Sequence, residues 1–233
     1  MTGAGVDAVL FDKDGTLFDF SSTWDVWALS ALERLSSGDA VLMQALADAA
    51  DYDIAARRFH PTSVVIAGTN REAAEALASA LPDRTVEEIE AVLIDLAVNA
   101  PLAPAVPLAP LLDALARAGL ALGVMTNDTE VAARAHLRSA GVLDRFDFIA
   151  GFDSGHGAKP SPSPLLAFAD AVGRDPARVA MVGDSAHDLI AGRAAGMRTV
   201  GVLTGPATQA DLAPLADVVL PDIGHLPGWL GTA

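Results

Sequence analysis

Val6-Asp7-Ala8-Val9-Leu10-Phe11-Asp12-Lys13-Asp14-Gly15-Thr16-Leu17 is the stretch that decides the fold. A short apolar run stops abruptly at two aspartates and a glycine. That is the pattern of a buried strand ending in a polar turn. Working outward, four later runs have the same character: Ala121 to Met125, Phe146 to Ala150, Val179 to Val182 and Thr199 to Leu203. Val218-Val219-Leu220 is a shorter sixth. Between them Pro110 to Ala118, Glu130 to Ala140, Pro164 to Val172 and Ala186 to Ala195 carry apolar residues at helical spacing.

Strand and helix in alternation predict an α/β fold, a Rossmann-like parallel sheet with helices on both faces. Such sheets bind ligands at the carboxyl ends of their strands, so the polar residues that close each strand are the ones to weigh. Residues 21–100 break the alternation. Trp24, Trp27, Ala28, Ala31, Leu32 and Leu35 form one helical stripe. Val41 to Ala49, Glu72 to Leu81 and Val86 to Val98 follow as further helices, and Thr85 with Glu88 matches a capping box. Only Val64-Val65-Ile66 reads as an ambiguous apolar run. The expectation is a core domain, residues 1–20 and 101–233, interrupted by a helical insert. Phe18 to Ser22 and the proline-rich stretch from Pro101 to Pro107 are its linkers.

Composition sets limits on function. With 52% hydrophobic and 19% charged residues in a 233-residue chain, a sizeable core is expected. The absence of cysteine excludes a thiol nucleophile, a zinc-thiolate site and a disulfide scaffold, and fits a cytoplasmic setting. Met1-Thr2-Gly3-Ala4-Gly5 lacks the basic start and apolar stretch of a signal peptide, and no apolar run is long enough for a bilayer. A formal net charge of −15 disfavours nucleic acid and anionic membranes as partners. It also repels a phosphorylated ligand at long range, so any phosphate site must be locally positive.

Asp12 and Asp14 close the first strand. Thr126 closes the second, beside Asn127 and Asp128, where a helix cap and a phosphate-oxygen site are compatible readings. Lys159 stands before Pro160, which holds it extended. Gly183-Asp184-Ser185-Ala186-His187-Asp188 follows a further strand and holds more carboxylates than a helix cap needs. If the sheet is as read, these side chains converge on one crevice. Carboxylates crowded about 4 Å apart repel by several kcal/mol at intermediate dielectric. A divalent cation relieves that, and oxygen-only ligands suit Mg²⁺.

Taken in order, Asp12-Lys13-Asp14-Gly15-Thr16-Leu17, Thr126, Lys159-Pro160 and Gly183-Asp184 through Asp188 resemble the four motifs of the haloacid dehalogenase (HAD) superfamily. The insert resembles that family's helical cap of the first type, and the overall pattern is similar to the phosphoglycolate phosphatases. Two local departures are Lys13, where an apolar or aromatic residue is more usual, and Phe20, where many relatives have serine. Neither is expected to touch the chemistry.

The resemblance implies a phosphatase of a small phosphorylated metabolite. Asp12 is the nucleophile, forming an aspartyl phosphate. Asp14 is the general acid and base and offers its backbone carbonyl to Mg²⁺. Asp184 is the direct metal ligand and Asp188 supports it, giving Asp12, Asp14, Asp184 and Asp188 as the metal set. Thr126, Asn127 and Lys159 hold the phosphoryl oxygens. A phosphomutase of the same superfamily is an alternative, and so, from another class, is a phospho-accepting signalling module. In the insert, Arg57-Arg58-Phe59-His60 is a basic stretch. It reads either as a solvated helix end or as a grip, through Arg57 or Arg58, on the non-reacting part of the substrate, for example a carboxylate.

Overall fold

In the computed structural model residues 5–232 are described; the first four residues, on which the signal-peptide reading falls, and Ala233 lie outside the described residues. The chain divides into two compact units, one of Met1–Phe20 with Ala103–Ala233, the other of Ser21–Leu102.

The first unit is built on six strands: β1 (Ala8–Phe11), β4 (Ala121–Met125), β5 (Phe148–Ala150), β6 (Val179–Gly183), β7 (Arg198–Val202) and β8 (Val218–Leu220). All pair in parallel, in the order β5-β4-β1-β6-β7-β8. β1 lies between β4 and β6, and its four residues are buried. That explains why it reads as a continuous apolar run rather than an alternating one. From β1 the chain builds outward through β4 and β5, then crosses to the other side and builds β6, β7 and β8. The carboxyl ends of β1, β4 and β6 therefore meet at a topological switch point, where open α/β sheets form a crevice.

Helices α5 (Leu108–Arg117), α6 (Glu130–Ser139), α7 (Ser163–Ala171), α8 (Ala186–Ala194), α9 (Gln209–Leu212) and α10 (Leu226–Leu230) belong to this unit. Ala8 and Leu10 of β1 and Met181 of β6 join Leu165 and Phe168 of α7 and Ala191 of α8 in one buried cluster. Gly123 of β4 makes room for it: a Cβ there would come within 2.6 Å of the Phe168 ring. The side chains of β1 alternate, so Val9 and Phe11 supply the opposite face and are equally buried.

The second unit holds α1 (Phe20–Ser36, its first residue lying in the first unit), α2 (Ala40–Ala49), α3 (Asn70–Ala78) and α4 (Val86–Val98). The stripe read from the sequence is buried along α1, with Trp24 and Trp27 packed edge-on at 5.0 Å. Trp27 Nε1 donates to the Leu93 carbonyl of α4 at 3.2 Å. Capping boxes start α3 at Thr69 and α4 at Thr85.

Three readings are corrected here. Phe20 to Ser22 belong to α1 rather than to a linker, because their side chains and backbone continue the helical run. A two-stranded hairpin, β2 (Tyr52–Asp53) with β3 (Arg58–Phe59), stands in the insert where only helices were expected. Val64 to Ile66 is a turn. No helix among the described residues is long and apolar enough to cross a membrane.

Candidate active site

Asp12 is the first residue beyond β1 and is buried, its N–H donating to Val182 of β6 at 2.8 Å. The backbone then turns sharply. Gly15 takes a φ of +77°, and a Cβ there would lie 2.3 Å from Asp184 Oδ2. Glycine is therefore required on both steric and conformational grounds.

Asp184 and Asp188 follow β6. Ser185 caps α8 in a reciprocal box with Asp188, whose Oδ2 accepts from Ser185 N at 3.0 Å and Ser185 Oγ at 2.6 Å. The capping role thus uses one oxygen of Asp188. Its other oxygen, Oδ1, accepts from Lys159 Nζ at 2.6 Å. Lys159 Nζ also donates to Asp12 Oδ1 at 2.6 Å. A buried ammonium thus bridges the carboxylates of β1 and α8.

Asn127 explains how Lys159 is held. Its side-chain amide donates to the Lys159 carbonyl at 2.8 Å and accepts the Lys159 N–H at 2.9 Å. The Asn127 amide thus grips the lysine loop. Thr126 ends β4, is buried, and its Oγ1 accepts the Asp128 N–H at 3.1 Å.

One carboxylate oxygen from each of Asp12, Asp184 and Asp188 lies within 4.8 Å of the others. The electrostatic consequence is direct. Burial raises Asp12 most, to about 7, with Asp188 and Asp14 adding to the rise and Lys159 opposing it. Burial likewise pushes Asp184 well above the usual carboxylate range, reinforced by Asp12 and Asp188. Burial pulls Lys159 down, but Asp12 and Asp188 outweigh it and hold the ammonium charged. Three buried carboxylates facing one lysine leave an excess of negative charge, and all the donors are oxygens. That donor set fits a hard divalent cation. Asp184 offers the freest carboxylate of the three, with only the long contact from Thr16 Oγ1 at 3.5 Å on its side chain among the described residues.

The Asp14 side chain stands apart from this set. Its Oδ2 lies 3.0 Å from Lys13 Nζ, and its Oδ1 is buried without a hydrogen-bond partner among the described residues. Lys13, a local departure from the family pattern, makes a direct ion pair to Asp14. Thr204 and Gly205, after β7, went unread. Thr204 Oγ1 donates to the Gly15 carbonyl at 2.5 Å, and a Cβ on Gly205 would fall 1.7 Å from Asp184 Oδ2. The signal available was a glycine two residues past the apolar run from Thr199 to Leu203, a position of close backbone approach. Arg57 and Arg58 belong to the second unit, exposed on the hairpin. Arg57 has a φ of +52° and Arg58 opens β3, so the helix-end reading of this stretch gives way to a strand turn.

Known proteins resemble this chain in sequence and in fold. A phosphoglycolate phosphatase of Neisseria meningitidis is 43% identical over 113 residues, 47% of each chain, and the chain spans about half the length of the first such curated relatives. A phosphoglycolate phosphatase of Xylella fastidiosa is 32% identical over 209 residues, 87% of this chain and 82% of that one. An N-acetylmuramic acid 6-phosphate phosphatase of Pseudomonas aeruginosa is 31% identical over 85% of this chain and 82% of its own. A solved haloacid dehalogenase-like hydrolase from Bacteroides fragilis superposes with a TM-score of 0.73, at 24% identity, over 95% of this chain and 99% of that one. The family model for haloacid dehalogenase-like hydrolases matches residues 6–196, from the strand that carries Asp12 past the helix that carries Asp188. On that match the chain belongs to the haloacid dehalogenase-like hydrolase family.

Proposed function

We propose that this chain is a Mg²⁺-dependent phosphatase that hydrolyses a small phosphorylated metabolite through an aspartyl phosphate on Asp12. The observation that carries the proposal is the position of the Asp12 carboxylate. It sits at the carboxyl end of the central strand, 2.6 Å from the Lys159 ammonium and beside Asp184 and Asp188. An oxygen nucleophile next to a buried ammonium and a cluster of carboxylates able to hold a divalent cation is suited to phosphoryl transfer.

Asp12, Asp184 and the backbone carbonyl of Asp14 would hold the Mg²⁺. Asp188 would orient the site, because both of its oxygens are already engaged. The ion, when bound, supplies positive charge that balances the carboxylates and the phosphate. The chain's own residues do the rest. Asp12 attacks phosphorus in line. Lys159 steadies the phosphoryl oxygens, and so does the Thr126 hydroxyl, in a site where dipoles act at low dielectric. Asp14 gives a proton to the leaving oxygen, then takes one from the water that releases phosphate.

The insert is the unit we assign to substrate recognition. Support for the substrate class comes from two of the relatives matched over most of their length, whose named substrates each combine a phosphate monoester with a carboxylate; another matched to the same extent is named a pyrophosphatase. Phosphoglycolate is the smaller of them and the substrate we favour. Exposed Arg57 and Arg58 are suited to grip the carboxylate, because a guanidinium fork binds it bidentately.

Phosphate release from phosphoglycolate, N-acetylmuramic acid 6-phosphate and p-nitrophenyl phosphate, with Mg²⁺ and with chelator, tests this reading. All turnover is expected to stop on chelation and return with Mg²⁺; full activity in chelator would sink the metal assignment. Arg57→Ala or Arg58→Ala is expected to raise KM for the carboxylated substrate roughly tenfold or more, the scale of one lost charge-assisted bond. Neither should alter p-nitrophenyl phosphate kinetics. Equal effects on both substrates would remove these arginines from specificity.

A further inference from the structure

Lys13 is fully buried between the two aspartates of the first motif, a place where an apolar side chain would be cheaper. Its ammonium has three N–H donors and faces three acceptors. They are Asp128 Oδ2 at 2.8 Å, His136 Nδ1 at 2.9 Å and Asp14 Oδ2 at 3.0 Å. With all three donors used, His136 accepts at Nδ1.

Two of the three partners are fixed by α6. Asp128 Oδ1 accepts the Thr129 N–H at 2.7 Å, just before the helix. His136 is buried on the helix itself, edge-on to Phe18 at 6.4 Å. The ammonium is therefore anchored to a rigid element, and what it presents to Asp14 is a fixed donor. That donor occupies Oδ2. Oδ1, buried and without a partner, is the one oxygen left to exchange a proton.

We propose that Lys13, braced by Asp128 and His136, is a positioning residue that orients the Asp14 carboxyl so that Oδ1 alone serves as general acid and base. The proposal rests on the reading of Asp14 given above. In the first half-reaction an Asp12 oxygen bonds to phosphorus while the bond from phosphorus to the leaving oxygen breaks. The proton on Asp14 Oδ1 passes to that oxygen. In the second half-reaction water bonds to phosphorus and its proton passes to Asp14 Oδ1. The acyl-phosphate bond then breaks, freeing phosphate and restoring Asp12. Holding Oδ2 removes the rotation that would carry the proton away from both oxygens.

The test is kcat/KM across substituted phenyl phosphates with Mg²⁺, because this parameter reports steps up to leaving-group departure. A poor leaving group such as phenolate needs the acid; dinitrophenolate does not. Lys13→Met is expected to lose roughly 10²-fold on phenyl phosphate, the lower end of acid–base contributions. On dinitrophenyl phosphate its activity should be close to wild type. The double variant Lys13→Met/Asp128→Asn removes the more deeply buried of the two carboxylate charges together with Lys13, leaves only Asp14 without its cation, and should show the same selective loss if Lys13→Met alone folds poorly. A loss equal across the series, with Asp14→Asn still selective for poor leaving groups, would overturn the proposal and make Lys13 a structural residue. No selectivity in Asp14→Asn would instead overturn the acid–base reading of Asp14. Failure of both Lys13 variants to fold would mark the network as a structural prop and also overturn the assignment.

Discussion

Asp12→Asn is expected to abolish Mg²⁺-dependent phosphate release while leaving the fold intact. Asparagine matches the shape of aspartate but cannot act as the attacking oxygen, and no other carboxylate can take its place. Asp188 has both oxygens engaged, and Asp184 belongs to a different strand end. Removing an essential nucleophile costs roughly 10⁴–10⁶-fold. Stability should not fall with activity. Asp12 is held up to about 7 chiefly by burial, with Asp188 and Asp14 adding repulsion, so a neutral residue relieves strain in the metal-free site. A urea midpoint at or above wild type, with no turnover, is the expected pair of results. Wild-type rates would show that the covalent mechanism is wrong.

Asp14→Asn is expected to slow turnover by about 10²–10⁴-fold, the range typical of a positioned acid–base group. The effect on binding should be small. Asp14 is set back on Lys13 rather than in the cluster formed by Asp12, Asp184 and Asp188. Its substitution should therefore lower kcat with little change in the Mg²⁺ concentration needed for half activity. A large rise in that concentration with kcat preserved would place the Asp14 side chain on the metal and remove it from proton transfer.

The six strands of the core were legible because each is an apolar run cut off by a polar residue, and β1 is flanked on both edges by other strands. The residues at their carboxyl ends were legible for the same reason: parallel topology sends every strand end to one side. What stayed hidden depends on shape rather than on residue type. The hairpin at Tyr52–Asp53 and Arg58–Phe59 has two-residue strands, too short for any alternation to register. Gly205 carries no chemistry, and only its distance from Asp184 shows why it is there. Lys13 read as a local departure because sequence cannot show that Asp128 and His136, more than a hundred residues away, turn toward it. Sequence could not show that the Asn127 amide pairs twice with the main chain of Lys159, thirty-two positions away.

The central claim is a covalent phosphoryl group on Asp12, and it can be trapped. Enzyme mixed with Mg²⁺ and phosphoglycolate, or with p-nitrophenyl phosphate, is quenched within the first turnover and treated with borohydride, which reduces an acyl phosphate to the alcohol. Peptide mass spectrometry then locates the reduced side chain. The mechanism predicts reduction at position 12 in wild type and none in Asp12→Asn. Reduction at another carboxylate, or steady phosphate release with no reduced residue at position 12, would contradict it.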